Sequence, residues 1–222
     1  MKNAHPLNPE LTSYIEQRIL PRYREFDRAH DEEHARTVIR RSLELAEAYD
    51  VDADMVYAIA AYHDTGLVNG RENHHLDAGR SLAADRTLRR WFSEEQIDTM
   101  REAVEDHRAS SKHAPRSIYG RIVAEADRLI DPATIIRRTV QYGVAHCPEL
   151  DREGHFARCL EHLREKYAEG GYLKLWIPES ENARRLEALR EVIRNPELIR
   201  KAFDEAFDAE TAKPPLPEPE KR

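Results

Sequence analysis

Residues 54–66 read DMVYAIAAYHDTG, and this stretch decides the fold. Met55, Val56, Ile59 and Ala60 are spaced as on a helix, and the segment is apolar on most faces, so it predicts a central, buried helix stopped by Thr65-Gly66. Its apolar run, Val56 to Tyr62, is seven residues long and ends at His63. A membrane span needs about 20 such residues, so none is expected here. The buried helix therefore delivers an adjacent imidazole and carboxylate, His63 and Asp64, at its end.

Working outward, apolar residues recur three and four apart among good helix formers, with no alternating strand run and no Asn-Gly or Asp-Gly hairpin turn. Helices are predicted over 11–20, 31–49, 73–85, 94–107, 117–130, 133–142, 151–169, 180–193 and 196–208. The fold class is all-α. A leader and short helix occupy 1–23, a helical domain spans 24–209 with its chemistry in about 24–142, and helices over 143–209 follow. Residues 210–222 include four prolines in the final twelve residues and are read as a disordered tail. Tyr142, Tyr167, Tyr172 and Trp176 read as packing for the C-terminal helices.

The 222 residues carry 35 Lys+Arg against 42 Asp+Glu, a net charge of −7, with 40% hydrophobic residues and a mean hydropathy of −0.78. That describes a water-soluble chain with a core to fill, and it disfavours a binder of nucleic-acid polymers, which would carry a basic footprint. The start, MKNAHPLNPE, has no apolar signal stretch, and the two cysteines, Cys147 and Cys159, offer no disulfide framework. A cytoplasmic location is the expectation.

Chemistry concentrates in histidines and aspartates on inner helix faces. His34 lies one turn before Val38, His63 four after Ile59, and Asp127 four after Val123, so each joins an apolar stripe. A carboxylate on such a stripe requires a compensating cation or hydrogen bonds. Two imidazoles with Asp64 and Asp127 suit a divalent ion such as Mn²⁺, Fe²⁺, Mg²⁺ or Zn²⁺. His75, four before the small residue Gly79, and His107, three after Val104, extend the set to six, enough for two ions. His74 is assigned to outer or surface duty, and Asp106 to orienting a histidine.

The segments AHDEEHARTVI (29–39), AIAAYHDTG (58–66), HHLDAG (74–79), AVEDHRASSK (103–112) and IVAEADRLIDP (122–132) resemble those of the HD-domain metal-dependent phosphohydrolases. The defining signature would be His34, His63, Asp64 and Asp127. His75 and His107 match the additional histidines of members that bind two metals. The resemblance implies an HD-domain helical bundle with extra C-terminal helices, and one or two divalent ions (Mn²⁺, Fe²⁺/Fe³⁺, Mg²⁺, Co²⁺ or Zn²⁺). It also implies hydrolysis of a phosphate ester or anhydride, commonly of a nucleotide, by metal-activated water. Asp64 and His63 are expected at the catalytic centre, with Asp64 as the carboxylate bridging two ions. Arg108, Lys112, Arg128, Arg71 and His30 are the expected phosphate contacts. The expected partner is a small phosphorylated molecule, most simply a nucleotide or dinucleotide, and homodimer formation beside it is left open. Two other functions stay open: an inactive ligand-binding or regulatory HD module, and a di-iron oxygenase on the same ligands.

Overall fold

A computed structural model describes residues 6–26, 30–111, 113–128 and 130–212. Among these residues there are ten α-helices and no strand. In chain order they are α1 (Pro9–Arg18), α2 (Glu32–Ala46), α3 (Ala53–Tyr62), α4 (His74–Ala84), α5 (Glu94–Glu105) and α6 (Ile118–Asp127). α7 (Pro132–His146), α8 (Arg152–Tyr167), α9 (Glu181–Arg194) and α10 (Pro196–Thr211) follow. Short 3-10 turns cover Leu20–Glu25, Thr65–Asn69 and Arg86–Arg90. The described residues before 130, together with 175–180, form one compact unit; the rest form a second.

The helix starts are written in the local sequence. Asp31 caps α2 by accepting the His34 N–H at 3.0 Å, which makes His34 the third helical residue. Asp52 caps α3 through the Asp54 and Met55 amides, and Ser93 with Gln96 forms a capping box on α5. Ser117 caps α6 and Asp131 caps α7, whose first residue is Pro132. The expected α3 is present, and every residue from Met55 to Tyr62 is buried. Around it pack Val38 and Ile39 of α2, Leu82 of α4, Met100 and Val104 of α5, and Val123 of α6. Truncating a side chain as central as Ile59 to Ala would cost about 2–5 kcal/mol.

Residues 175–180 belong to this first unit although they follow α8 in the chain. Ile177 packs with Ala46, Val56 and Ile122, and the buried Glu125 accepts hydrogen bonds from the Trp176 amide at 2.9 Å and from the Ser180 hydroxyl. Trp176, read from sequence as packing for the C-terminal helices, thus enters the first unit by its backbone.

The second unit packs α7 with α8 and α10, and α9 with α8 and α10. Its interior includes Cys159, Leu163, Leu189, Ile199 and Phe203. Tyr142 and Tyr172 are largely exposed in it rather than buried as packing. α10 runs to Thr211, two residues into the segment expected as tail, and the remainder of that tail lies outside the described residues.

Candidate metal centre

Five helices converge at one end of α3, counting α3 itself. His34 comes from the first turn of α2, His63 and Asp64 from the residues that end α3, and Asp127 from the last position of α6. α4 and the end of α5 add His74 and His107. The donor atoms form two groups: His34, His63 and Asp127 in one, and Asp64, His74 and His107 in the other.

Asp64 spans both. Its Oδ2 lies 3.2 Å from His63 Nε2 and 3.5 Å from His34 Nε2, while its Oδ1 lies 3.4 Å from His107 Nε2 and 3.6 Å from His74 Nε2. Asp127 Oδ1 completes the first group, 3.3 Å from His34 Nε2 and 3.7 Å from His63 Nε2.

The ring orientations fix what the nitrogens offer. His63 Nδ1 lies 2.7 Å from the Ala60 carbonyl, His107 Nδ1 is 2.6 Å from the Val104 carbonyl, and His74 Nδ1 is 2.8 Å from the Arg71 carbonyl. A carbonyl only accepts, so each Nδ1 carries the proton and each Nε2 is left with a lone pair. His34 and His63 Nε2 are 3.2 Å apart, and so are His74 and His107 Nε2. Two such nitrogens sit together when a proton or a metal cation lies between them. Two ligands bound at about 2.0–2.1 Å on neighbouring sites of one ion stand about 3.0–3.4 Å apart, so the spacing fits a shared metal. Backbone carbonyls thus do the orienting that falls to outer partners in metal sites.

Charge agrees with geometry. Burial would raise the Asp64 carboxyl, but His63, His107 and His34 outweigh it and hold it well below the usual carboxylate range. Burial would likewise raise Asp127, which His34 and His63 keep low. Burial would lower His34, yet the carboxylates of Asp127 and Asp64 push it up to about 10. The array therefore holds ionised carboxylates and gathers positive charge. His74 is instead held low by burial and by His107, which favours a neutral imidazole.

Several expected residues sit elsewhere. His75 is in neither group; its place is taken by His74. The reason is the face of α4: His74, Ala78 and Leu82 make its inner stripe, whereas Gly79 abuts the flank of α5 at Glu105 and Arg101. His75 turns toward Arg108, with Nδ1 3.5 Å from the guanidinium, and burial with that charge lowers its pKa to about 4. Arg128 is a second correction. It is buried, and its guanidinium donates to the Ala124 carbonyl within α6 rather than lining an open pocket. Asp106 orients no ligand histidine; it accepts from the Arg116 amide at 2.6 Å and from the Arg116 guanidinium. Lys112 lies outside the described residues.

Arg108 and Arg71 do stand beside the centre. Arg108 donates to the Glu72 carbonyl and to Ser110 Oγ, and the Arg71 guanidinium lies 3.0 Å from the His30 ring. His30 in turn packs edge-on against His34, ring centroids 5.8 Å apart.

An all-helical unit with paired His/Asp groups at the end of its central helix is an architecture suited to holding divalent metal. Residues 32–130, a little under half of the chain, match the family model of the HD domain, and over that segment the chain is similar to the HD-domain metal-dependent phosphohydrolases. No curated protein and no solved structure gives a match. The matched segment contains both clusters suited to divalent metal, and the protein is an enzyme. No helix among the described residues is long and apolar enough to cross a membrane.

Proposed function

We propose that the enzyme hydrolyses a phosphate ester or anhydride of a nucleotide or dinucleotide, with two divalent ions held by His34, His63, Asp64 and Asp127 and by Asp64, His74 and His107. One observation carries the reading: the two oxygens of Asp64 address different imidazole pairs, which is how a single carboxylate bridges two ions. When bound, such ions lower the pKa of water and neutralise charge on the phosphoryl group. His63 and Asp64 are the catalytic pair in this reading, because the Asp64 carboxylate lies beside imidazoles of both groups and His63 Nε2 is 3.2 Å from its Oδ2.

Arg71 and Arg108 supply the phosphate contacts, with His30 and His75 beside them. Both guanidiniums are exposed enough to meet a solute, and each is already oriented by a neighbour. Two forked cations near the centre suit a substrate with more than one negatively charged oxygen to hold. The chain as a whole carries a net charge of −7, so attraction must be local to this site.

The test is product-resolved hydrolysis across nucleotides, dinucleotides and phosphate monoesters, with protein loaded separately with Mn²⁺, Fe²⁺, Co²⁺ and Mg²⁺. A His63→Ala/Asp64→Ala double variant serves as the blank. Turnover that disappears in the double variant supports the reading, and the products separate monoester from anhydride cleavage. Turnover of sugar phosphates alone, or silence on every phosphorylated compound with oxygen consumption by the iron form, overturns the nucleotide assignment.

A further inference from the structure

Tyr23 has no part in the ligand set, yet it touches the turn that carries Asp64. It lies in the 3-10 turn Leu20–Glu25 and is fully buried. Its hydroxyl lies 3.0 Å from the Ala61 carbonyl and 3.2 Å from the Asp64 amide nitrogen, donating to the first and accepting from the second. Its ring lies against that of His63, centroids 6.2 Å apart.

These contacts matter because α3 ends inside the core. A helix end leaves carbonyls without intrahelical donors, and buried ones require partners from elsewhere. Each of the last carbonyls here has its own: Ala60 takes the His63 Nδ1–H, Tyr62 takes the Thr65 hydroxyl at 2.8 Å, and Ala61 takes Tyr23. Continuing the helix would pair the Asp64 amide with the Ala60 carbonyl, which the His63 ring already occupies at 2.7 Å. Asp64 instead leaves helical geometry, at φ −106° and ψ 3°, and the hydroxyl of Tyr23 accepts its amide. One phenol thus fixes both sides of the His63-Asp64 step.

We propose that Tyr23 is a positioning residue for the metal centre: its hydroxyl pins the Asp64 backbone so that the carboxylate reaches both imidazole pairs. The inference rests on the reading of Asp64 as the bridge. Its consequence is that the Asp64 turn is set before any ion arrives.

The test compares the full-length wild type with Tyr23→Phe, Asp64→Asn and Tyr62→Phe, measuring Mn²⁺ stoichiometry and affinity by calorimetry on metal-free protein, alongside thermal melts. Tyr62 is the structural comparison, because its hydroxyl binds Asp85 at 2.6 Å, away from the ligands. Tyr23→Phe is expected to weaken Mn²⁺ binding by about 10–100-fold, the usual effect of losing an outer partner of a ligand, while Tyr62→Phe leaves the affinity unchanged. If Asp64→Asn loses an ion and Tyr23→Phe binds both as wild type does, Tyr23 is structural only and the proposal fails. If Asp64→Asn itself retains both ions, the bridge reading fails instead. Amide exchange on the metal-free wild type tests the same point without a variant: the Asp64 N–H is expected to be protected, and rapid exchange there would overturn the proposal.

Discussion

Replacing His74 and His75 in turn separates two tasks held by adjacent imidazoles. His74→Ala removes a nitrogen that stands 3.2 Å from His107 Nε2, so the expected result is loss of one metal equivalent by elemental analysis. His75→Ala should keep both ions and change mainly KM, since that ring faces Arg108. Equal metal loss in both variants would contradict the assignment. The structure brings His34, His63, Asp64, His107 and Asp127 together, and sequence reading grouped them because four join apolar stripes and Asp64 follows His63 at a helix end. The same rule, applied to α4, points to His74 through Ala78 and Leu82, both fully buried. Spacing to Gly79 pointed instead to the wrong flank, because that glycine makes room for α5 and not for the centre. Tyr23 gave no signal at all: a tyrosine in a turn does not announce that its hydroxyl will meet a backbone forty residues away.

Between elements, Gly66 joins the end of α3 to the start of α4. A Cβ there would lie 2.0 Å from the His74 carbonyl oxygen and 2.5 Å from the Ala78 nitrogen, both backbone atoms that cannot swing aside. Gly66→Ala should therefore destabilise by at least the about 1–3 kcal/mol of ordinary overpacking and weaken metal binding with it, because the displaced strand of chain carries His74. A variant with wild-type melting and metal content would show that the close approach is not needed. Another junction is pH-dependent. Asp85 accepts from the Tyr14 hydroxyl at 2.5 Å and from the Tyr62 hydroxyl at 2.6 Å, tying α1 and α3 to the turn that follows α4. Burial would raise its carboxyl, but the two phenols prevail and lower it. A carboxyl lowered in the folded state contributes stability above its unfolded pKa of about 3.9, and that contribution fades as pH falls through the folded value. The difference in urea midpoint between wild type and Asp85→Asn should thus be larger at neutral pH than at pH about 3. A difference that grows on acidification would contradict this. Sequence reading placed the helices well, since caps and periodicity are local. It could not foresee that residues 175–180 would return to α6, because a buried glutamate such as Glu125 does not name its partner.

For the whole molecule, the metal centre is the junction of α2, α3, α4, α5 and α6, so occupancy should stabilise the unit they form. Mn²⁺ at about 100 times its Kd is expected to add about 2.7 kcal/mol for one site, read as a rise in Tm that a chelator reverses. Wild type should show the shift, and the His63→Ala/Asp64→Ala double variant should lack it; equal shifts in both would place the binding elsewhere. The match to the HD domain ends at 130, where the second unit begins, so α7 to α10 lie outside the matched segment. Helical periodicity predicted those helices, but nothing in their sequence indicates a task, whereas the first unit carries its chemistry in the open. Anomalous diffraction from crystals grown with Mn²⁺ reads the centre directly. Two peaks about 3.5–4 Å apart, one on either side of the Asp64 carboxylate with His74 and not His75 bound, are expected. A single peak, or a pair that does not share Asp64, would contradict the two-ion centre.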